Sequence, residues 1–403
     1  MTAGPATPAS PPDRLLIPLL AAITAAGPVA MNIYLPALPA VQAHFGVTVA
    51  EANTTVSLTL IAFAVGILAY GPLSDRYGRR PVIFAGQLVF AVGNLLCLLS
   101  PSFTVLLAGR IVQALGTSAG VVVSRAMLGD LYGREKMARM LAFLTMVMVV
   151  GPTVAPLVGG VLTESFGWHS LFALLLAVNL VILVLALRHL PETRPAEARS
   201  AGTAALARET FAMLRRRSFV GFTLQSSMIY AIFLAFISIA PYVMSALGHG
   251  ATEYGTWYLM VAFGYFLGNW IVTHYATRIG LARMIRWGVG LQLACALAGT
   301  VLVLAGVWHP AAIFLPMGLL GVGQGLALPN ITASAVALAP RTPGAAASML
   351  GFSQQLVGAL AVQGMALSAV DTPVPVYVFT LVAALAAWLF LFVLPAADSM
   401  EGR

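Results

Sequence analysis

The stretch Gly71-Pro72-Leu73-Ser74-Asp75-Arg76-Tyr77-Gly78-Arg79-Arg80-Pro81 lies between two apolar runs, near 52–73 and 81–99. Gly78 permits a tight turn and Pro81 suits the first turn of a helix. Asp75 can face a helix N-terminus, and the arginines can reach carboxylates or phosphates. A charged connection this short, flanked by runs of about 20 apolar residues, reads as the turn of a membrane-spanning helical hairpin.

Working outward, the same pattern repeats. Apolar segments fall near 15–40, 52–73, 81–99, 105–128, 138–162 and 170–190, then near 218–245, 254–274, 282–305, 311–337, 344–368 and 374–394. Composition agrees: 60% of the 403 residues are hydrophobic, 8% are charged and the mean hydropathy is +0.93. Soluble domains carry about 25% charged residues, so a water-soluble fold is excluded. At about 20 residues per span, the apolar total suffices for roughly twelve helices. Period-two alternation is absent, which argues against a membrane barrel. The expected fold is an all-α membrane protein of twelve transmembrane helices in two six-helix bundles.

Charge placement orients it. Of 21 Lys and Arg residues, Arg110 and Arg125 fall within the fourth segment, and the others lie in the termini or around the connections after even-numbered segments. The positive-inside rule then puts both termini in the cytoplasm. The net charge of +8 describes a basic face beside anionic lipid and requires no nucleic acid. Cys97 and Cys295 sit in apolar runs without Cys or His at ligand spacing, so neither metal, disulfide nor cofactor is expected. Residues 1–14 lack a basic n-region and read as a cytoplasmic tail.

The charged stretch 191–217 is expected to link an N-terminal bundle, 15–190, to a C-terminal one, 218–394, ahead of a tail at 395–403. The near-equal halves suggest a duplication. Asp75-Arg76-Tyr77-Gly78 faces Thr277-Arg278-Ile279-Gly280, and Gln113 has Gln324 in the second half. Two such bundles would bind a ligand near mid-membrane and expose it alternately. No phosphate-binding GxxxxGK[ST] loop, Ser/His/Asp set, HExxH or paired intramembrane carboxylates can be assembled, so neither ATP-driven pumping nor an enzyme is expected.

The stretch Gly71–Pro81 resembles the signature loop of the major facilitator superfamily. The resemblance implies a cytoplasmic latch, formed by Gly71, Asp75, Arg76, Gly78, Arg79 and Arg80, that holds the halves together when the carrier faces outward. Asp130 is the candidate partner of Arg79 or Arg76. In the fifth segment Gly151, Ala155 and Gly159 recur every four residues, while Pro152 and Pro156 bend the helix and Gly160 extends the small face. This is similar to the antiporter signature of exporters in the superfamily. Asn32-Ile33-Tyr34-Leu35-Pro36-Ala37-Leu38-Pro39, Arg110 to Gly116, Pro340 to Gln355, Phe166 to His169 and Leu190 to Arg194 look like the drug:proton antiporters related to bicyclomycin and chloramphenicol exporters. That implies a secondary active exporter of amphiphilic drugs in the bacterial inner membrane, coupled to protons, with lipid as its other partner, and a monomer is expected. The runners-up are a dedicated metabolite or amino-acid exporter and an uncoupled facilitator.

In the related exporters the position of Asn32 is usually an Asp that exchanges protons; here it cannot titrate. The 13 acids all fall at span ends or in loops, so a buried coupling carboxylate is not supported. Glu51 lies in Thr48-Val49-Ala50-Glu51, a capping box. An embedded arginine costs about 2.5–3.5 kcal/mol on insertion scales and normally faces a cavity or a partner, so Arg110 is expected to meet Asn32 in the cavity rather than to snorkel outward. The candidate substrate and coupling residues are Asn32, Tyr34, Arg110, Gln113, Gln225, Tyr230 and Gln354. With an arginine and no acid, neutral or weakly anionic ligands are expected to be handled better than cations.

Overall fold

The computed structural model describes residues 15–132, 134–194, 213, 215–339, 343–368 and 371–393. Most of the expected linker and both tails lie outside them. α1 (Leu16–Tyr34) passes through a single 3-10 turn, Leu35–Ala37, into α2 (Leu38–Phe45), and the pair forms one span. Pro36 and Pro39, each the second residue of its short element, explain the break, and Gly46 ends the span in the left-handed conformation. α3 (Val49–Tyr77), α4 (Arg79–Leu98), α5 (Phe103–Leu131), α6 (Arg134–Phe166) and α7 (His169–His189) complete the first half. The second half holds α8 (Arg217–Ala246), α9 (Ala251–Ile279), α10 (Leu281–Leu304), α11 (Pro310–Ala337), α12 (Pro343–Ala366) and α13 (Val374–Val393).

Eleven of the twelve spans are long and apolar enough to cross a membrane by composition alone. The exception is α9, whose sequence carries Tyr, Trp, Thr, Asn and Gly among its apolar residues. It lies against α6 and α11 and crosses with them. Large apolar side chains point outward on the other helices, among them Val181, Leu187, Val382 and Phe392. That is the arrangement lipid requires and water penalises.

The capping box is formed: Glu51 N–H donates to Thr48 Oγ1 at 3.2 Å, and Thr48 N–H donates to the Glu51 carboxylate at 2.7 Å. At the other end of α3 a single residue, Gly78, turns the chain into α4 at φ +100°. Its counterpart Gly280, at φ +87°, does the same between α9 and α10. The halves repeat inside as well. Gly86 and Gly116 bring α4 and α5 into backbone contact, and Gly288 and Gly323 do so for α10 and α11. Gly86 and Gly288 are 202 residues apart, as are Gly78 and Gly280, but Gly116 and Gly323 are separated by 207. Gln113 and Gln324 are 211 apart, so that correspondence is one helical turn out of register.

Apolar burial shows how the halves meet. One cluster joins both of them, running from Tyr34, Trp168 and Phe172 to Phe236, Tyr254 and Phe314. At the end that carries Asp75 and Arg79 there are two separate clusters, one around Leu20, Val123 and Met127, the other around Phe219, Val289 and Ile331. Every described hydrogen bond between the halves lies toward the joined end: Tyr258 to Asn32, Ser57 to Gln363, Gln363 to the Ala50 carbonyl, and two from Thr252 to Glu164. The bundle is therefore sealed at one end and divided at the basic end.

α6 makes the seal through its small residues. A Cβ on Gly159 would stand 2.0 Å from the Ile33 carbonyl oxygen of α1, and one on Gly160 would stand 2.3 Å from the Ala251 carbonyl oxygen of α9. Ala155 is buried on the same stretch, and Gly151 abuts Val29. Gly159→Val is expected to lower stability by about 1–3 kcal/mol through overpacking. Gly290→Ala, where no atom lies within 4 Å, serves as the control and should leave the thermal midpoint in detergent nearly unchanged.

Candidate functional site

Between the halves lies a cavity of about 80 Å³ bounded by α1, α3, α5, α8 and α12, with Asn32, Thr59, Phe63, Arg110, Gln113, Thr117, Tyr230 and Gln355 in its wall. Pro28, inside α1, also borders it. Arg110 has no solvent exposure, so it does not snorkel. Its guanidinium carbon lies 4.4 Å from the centre of the Tyr34 ring, a cation–π contact, and the Tyr34 hydroxyl pairs with Thr55 Oγ1 at 3.0 Å. Nη1 donates to the Ala30 carbonyl at 3.3 Å and to Gln113 Oε1. Gln113 Nε2 in turn donates to Asn94 Oδ1 at 2.7 Å, and Asn94 to the Phe90 carbonyl at 3.0 Å. Arg110 is thus pinned to a chain of neutral amides crossing from α5 to α4.

Asn32 borders the same cavity, yet its hydrogen bonds go elsewhere than Arg110. Nδ2 donates to the Pro28 carbonyl at 2.9 Å, and Oδ1 accepts from the Tyr258 hydroxyl of α9 at 3.2 Å. This position therefore ties the two halves together. Tyr230 lines the cavity as expected. Gln225 does not; it is buried between α8 and α13, donating to the Ala387 carbonyl at 2.9 Å. Gln355, rather than its neighbour Gln354, is in the wall. The amides at 354 and 355 differ by one 100° step around α12, a distinction that apolar periodicity so weak could not resolve. Asn94 and Tyr258 were not anticipated, although Asn94 is itself an amide within an apolar run.

A second polar site forms at the basic end. Arg79, nearly buried, pairs with Asp75 at 2.9 Å and with Asp130 at 3.0 Å, and donates to Ser74 Oγ at 2.7 Å. Asp130 accepts also from Thr193 at 3.0 Å. Arg194 pairs with Asp75. Glu192 takes the N-terminus of α4, accepting from the backbone N–H of Arg79 at 3.0 Å and of Arg80 at 3.2 Å. Arg80 reaches the Leu187 carbonyl at 2.9 Å, while Arg76 lies over Tyr77. Gly71 is placed beside Val122. All of these groups belong to the first half or to the start of the linker that follows it, so in this arrangement the network ties α3, α4, α5 and the segment after α7 to one another. Glu192, Thr193 and Arg194 join it from a segment that sequence reading valued only for its family likeness.

Burial alone would raise the Glu192 carboxyl, but backbone N–H groups of Arg194, Arg79, Arg80 and Thr193 outweigh it and hold the group below the usual carboxylate range. A carboxylate depressed in the folded state contributes stability above its unfolded value and loses it as pH falls through the folded one. Glu192→Gln should therefore lower stability by about 1 kcal/mol near neutrality. The difference from the unsubstituted protein should vanish on acidification below the ordinary carboxylate range, as followed by thermal unfolding against pH. Asp130→Ala, which strips the nearly buried Arg79 of one carboxylate, should cost about 2 kcal/mol in the same measurement.

Comparison with known proteins agrees with this architecture. The model of the Major Facilitator Superfamily matches residues 20–362. The bicyclomycin resistance protein homolog of Haemophilus influenzae is 24% identical over 93% of this chain and 94% of its own length. Multidrug resistance protein D of Escherichia coli is 28% identical over 85% of this chain and 86% of its own. The uncharacterized MFS-type transporter YdgK of Bacillus subtilis is 31% identical, over 56% of this chain and 57% of that protein. Among solved structures, a bacterial homolog of the human lysosomal transporter Spinster, inward-facing and occupied, superposes with a TM-score of 0.76 at 16% identity, covering 97% of this chain and 98% of that one. The D-xylose–proton symporter superposes at 0.74 and 14% identity, covering 96% and 99%. With the family model extending over most of its twelve spans, the chain belongs to the Major Facilitator Superfamily.

Proposed function

We propose that this protein is a secondary efflux transporter that carries drug-like amphiphilic small molecules out of the bacterial cytoplasm by alternating access. The observation that carries the reading is the cavity between two bundles sealed at one end and divided at the other. A carrier needs such a site reached from one side at a time. The relatives named for multidrug and bicyclomycin resistance support the direction and the ligand class. The positive-inside rule assigns the divided, basic end and both termini to the cytoplasm, which makes this the inward-facing state. In the outward-facing state, Asp75, Arg76 and Arg79 would form the latch against the second half.

Proton drive through the cavity is not part of the reading. Its wall holds no carboxylate and no histidine. The acids at the helix ends are engaged: Glu51 in a cap, Asp130 with Arg79, and Glu164 with Thr252. This favours, as a second reading, a facilitator that equilibrates its substrate without protons.

Cells producing the protein should accumulate less of an amphiphilic drug than cells without it, and equal accumulation would refute export. On the second reading the protein leaves steady-state accumulation unchanged and, in proteoliposomes with an imposed pH gradient, moves substrate only down the substrate's own gradient, whereas Asn32→Asp gains a response to pH. Concentration of substrate by the unsubstituted protein using the pH gradient alone would overturn the uncoupled reading.

A further inference from the structure

The guanidinium of Arg110 uses only part of its donor set. One face stacks on Tyr34, and Nη1 is occupied by Ala30 and Gln113. Nε and Nη2 are buried and find no acceptor among the described residues. These two nitrogens form one edge of the group, with parallel N–H bonds at the spacing of the two oxygens of a carboxylate. No carboxylate among the described residues supplies that partner. α1, α8 and α12 carry no acid within their described lengths, and the acids of α3, α5 and α6 lie at the helix ends. Buried cations are ordinarily paired, and one left alone is among the least favourable arrangements a protein can hold.

The remaining polar groups in the wall are neutral. Thr59 and Thr117 spend their hydroxyl protons on the Thr55 and Ala114 carbonyls of their own helices, and Asn32 keeps one amide N–H beyond the one given to Pro28, so none of them opposes a negative charge. Gln355 Oε1 is likewise buried without a partner, and rotation of its amide would present a donor instead. A fixed positive edge, amide groups at Asn32 and Gln355 in the same wall and no competing anion among the described residues make an anion site.

We propose that the cavity at Arg110 binds a monovalent anion, with a carboxylate seated against Nε and Nη2, and that this anion supplies the charge which the side chain at Asn32 does not. This deepens the transport reading by naming a ligand class for the same cavity. It makes organic acids, or amphiphiles bearing a carboxylate, the favoured substrates. A small inorganic anion such as chloride is the other source of the same chemistry.

The test is equilibrium binding by calorimetry to the full-length protein in nanodiscs, without transport, so that export could fail while the site stands. Benzoate, its neutral analogue benzamide, and chloride are the probes. Benzoate is expected to bind saturably and benzamide not to bind. Benzoate affinity should fall by at least about tenfold in Arg110→Gln, which removes the fork. Asn32→Asp should produce a loss of the same order by placing the protein's own carboxylate in the cavity. Because Arg110→Gln removes a buried group and can fail to fold, Asn32→Asp alone is sufficient to decide. Competition by chloride identifies an inorganic occupant, and its absence an organic acid; either supports the site. Equal binding of benzoate and benzamide, no benzoate binding, or benzoate affinity unchanged in Asn32→Asp would overturn the proposal.

Discussion

Helices in lipid gain little from hiding apolar surface from one another, because the surrounding chains are as apolar as they are. Their association depends on how closely the backbones approach, and in this protein that distance is set by glycine. Gly86 against Gly116 and Gly288 against Gly323 lock a pair of helices inside each half. Gly159 and Gly160 then seat one helix, α6, against α1 on one side and α9 on the other. α6 is one of the elements through which the halves touch, beside α1 against α9 and α3 against α12.

Within this frame the charged groups are segregated by function. At the basic end, carboxylates outnumber the guanidinium they surround: Asp75 and Asp130 converge on Arg79, while Glu192 caps α4. The result is a rigid cluster internal to one half, suited to holding the ends of α3, α4 and α5 at a fixed spacing. Beside the cavity the balance is reversed. Arg110 is held by an aromatic face and a chain of amides, none of them charged. Only the second arrangement leaves charge uncompensated in a setting without solvent.

Asn32 has a structural role of its own. Asn32 has been turned to join Tyr258 on the other half, a contact that forms part of the seal. The same position is therefore tied to the closure of the bundle rather than to Arg110.

Much of this was legible in the amino-acid sequence, and for definite reasons. The apolar runs, the basic connections and Gly78 report on each residue's relation to lipid, water or its immediate neighbours, and these are local properties. The partnership of Asp130 with Arg79 and the cap at Glu51 were readable for the same reason, since both sit at helix ends whose positions the runs define. What the chain could not reveal by itself was rotation about the helix axes. With apolar residues on every face, nothing in the pattern separates Gln354 from Gln355, or puts Gln225 on α13 and Asn94 beside Gln113. Only the tertiary packing chose those rotations. It fixed which polar groups meet, sent Asn32 to Tyr258, and left two nitrogens of Arg110 facing no acid, because contact between helices depends on side chains far apart in sequence.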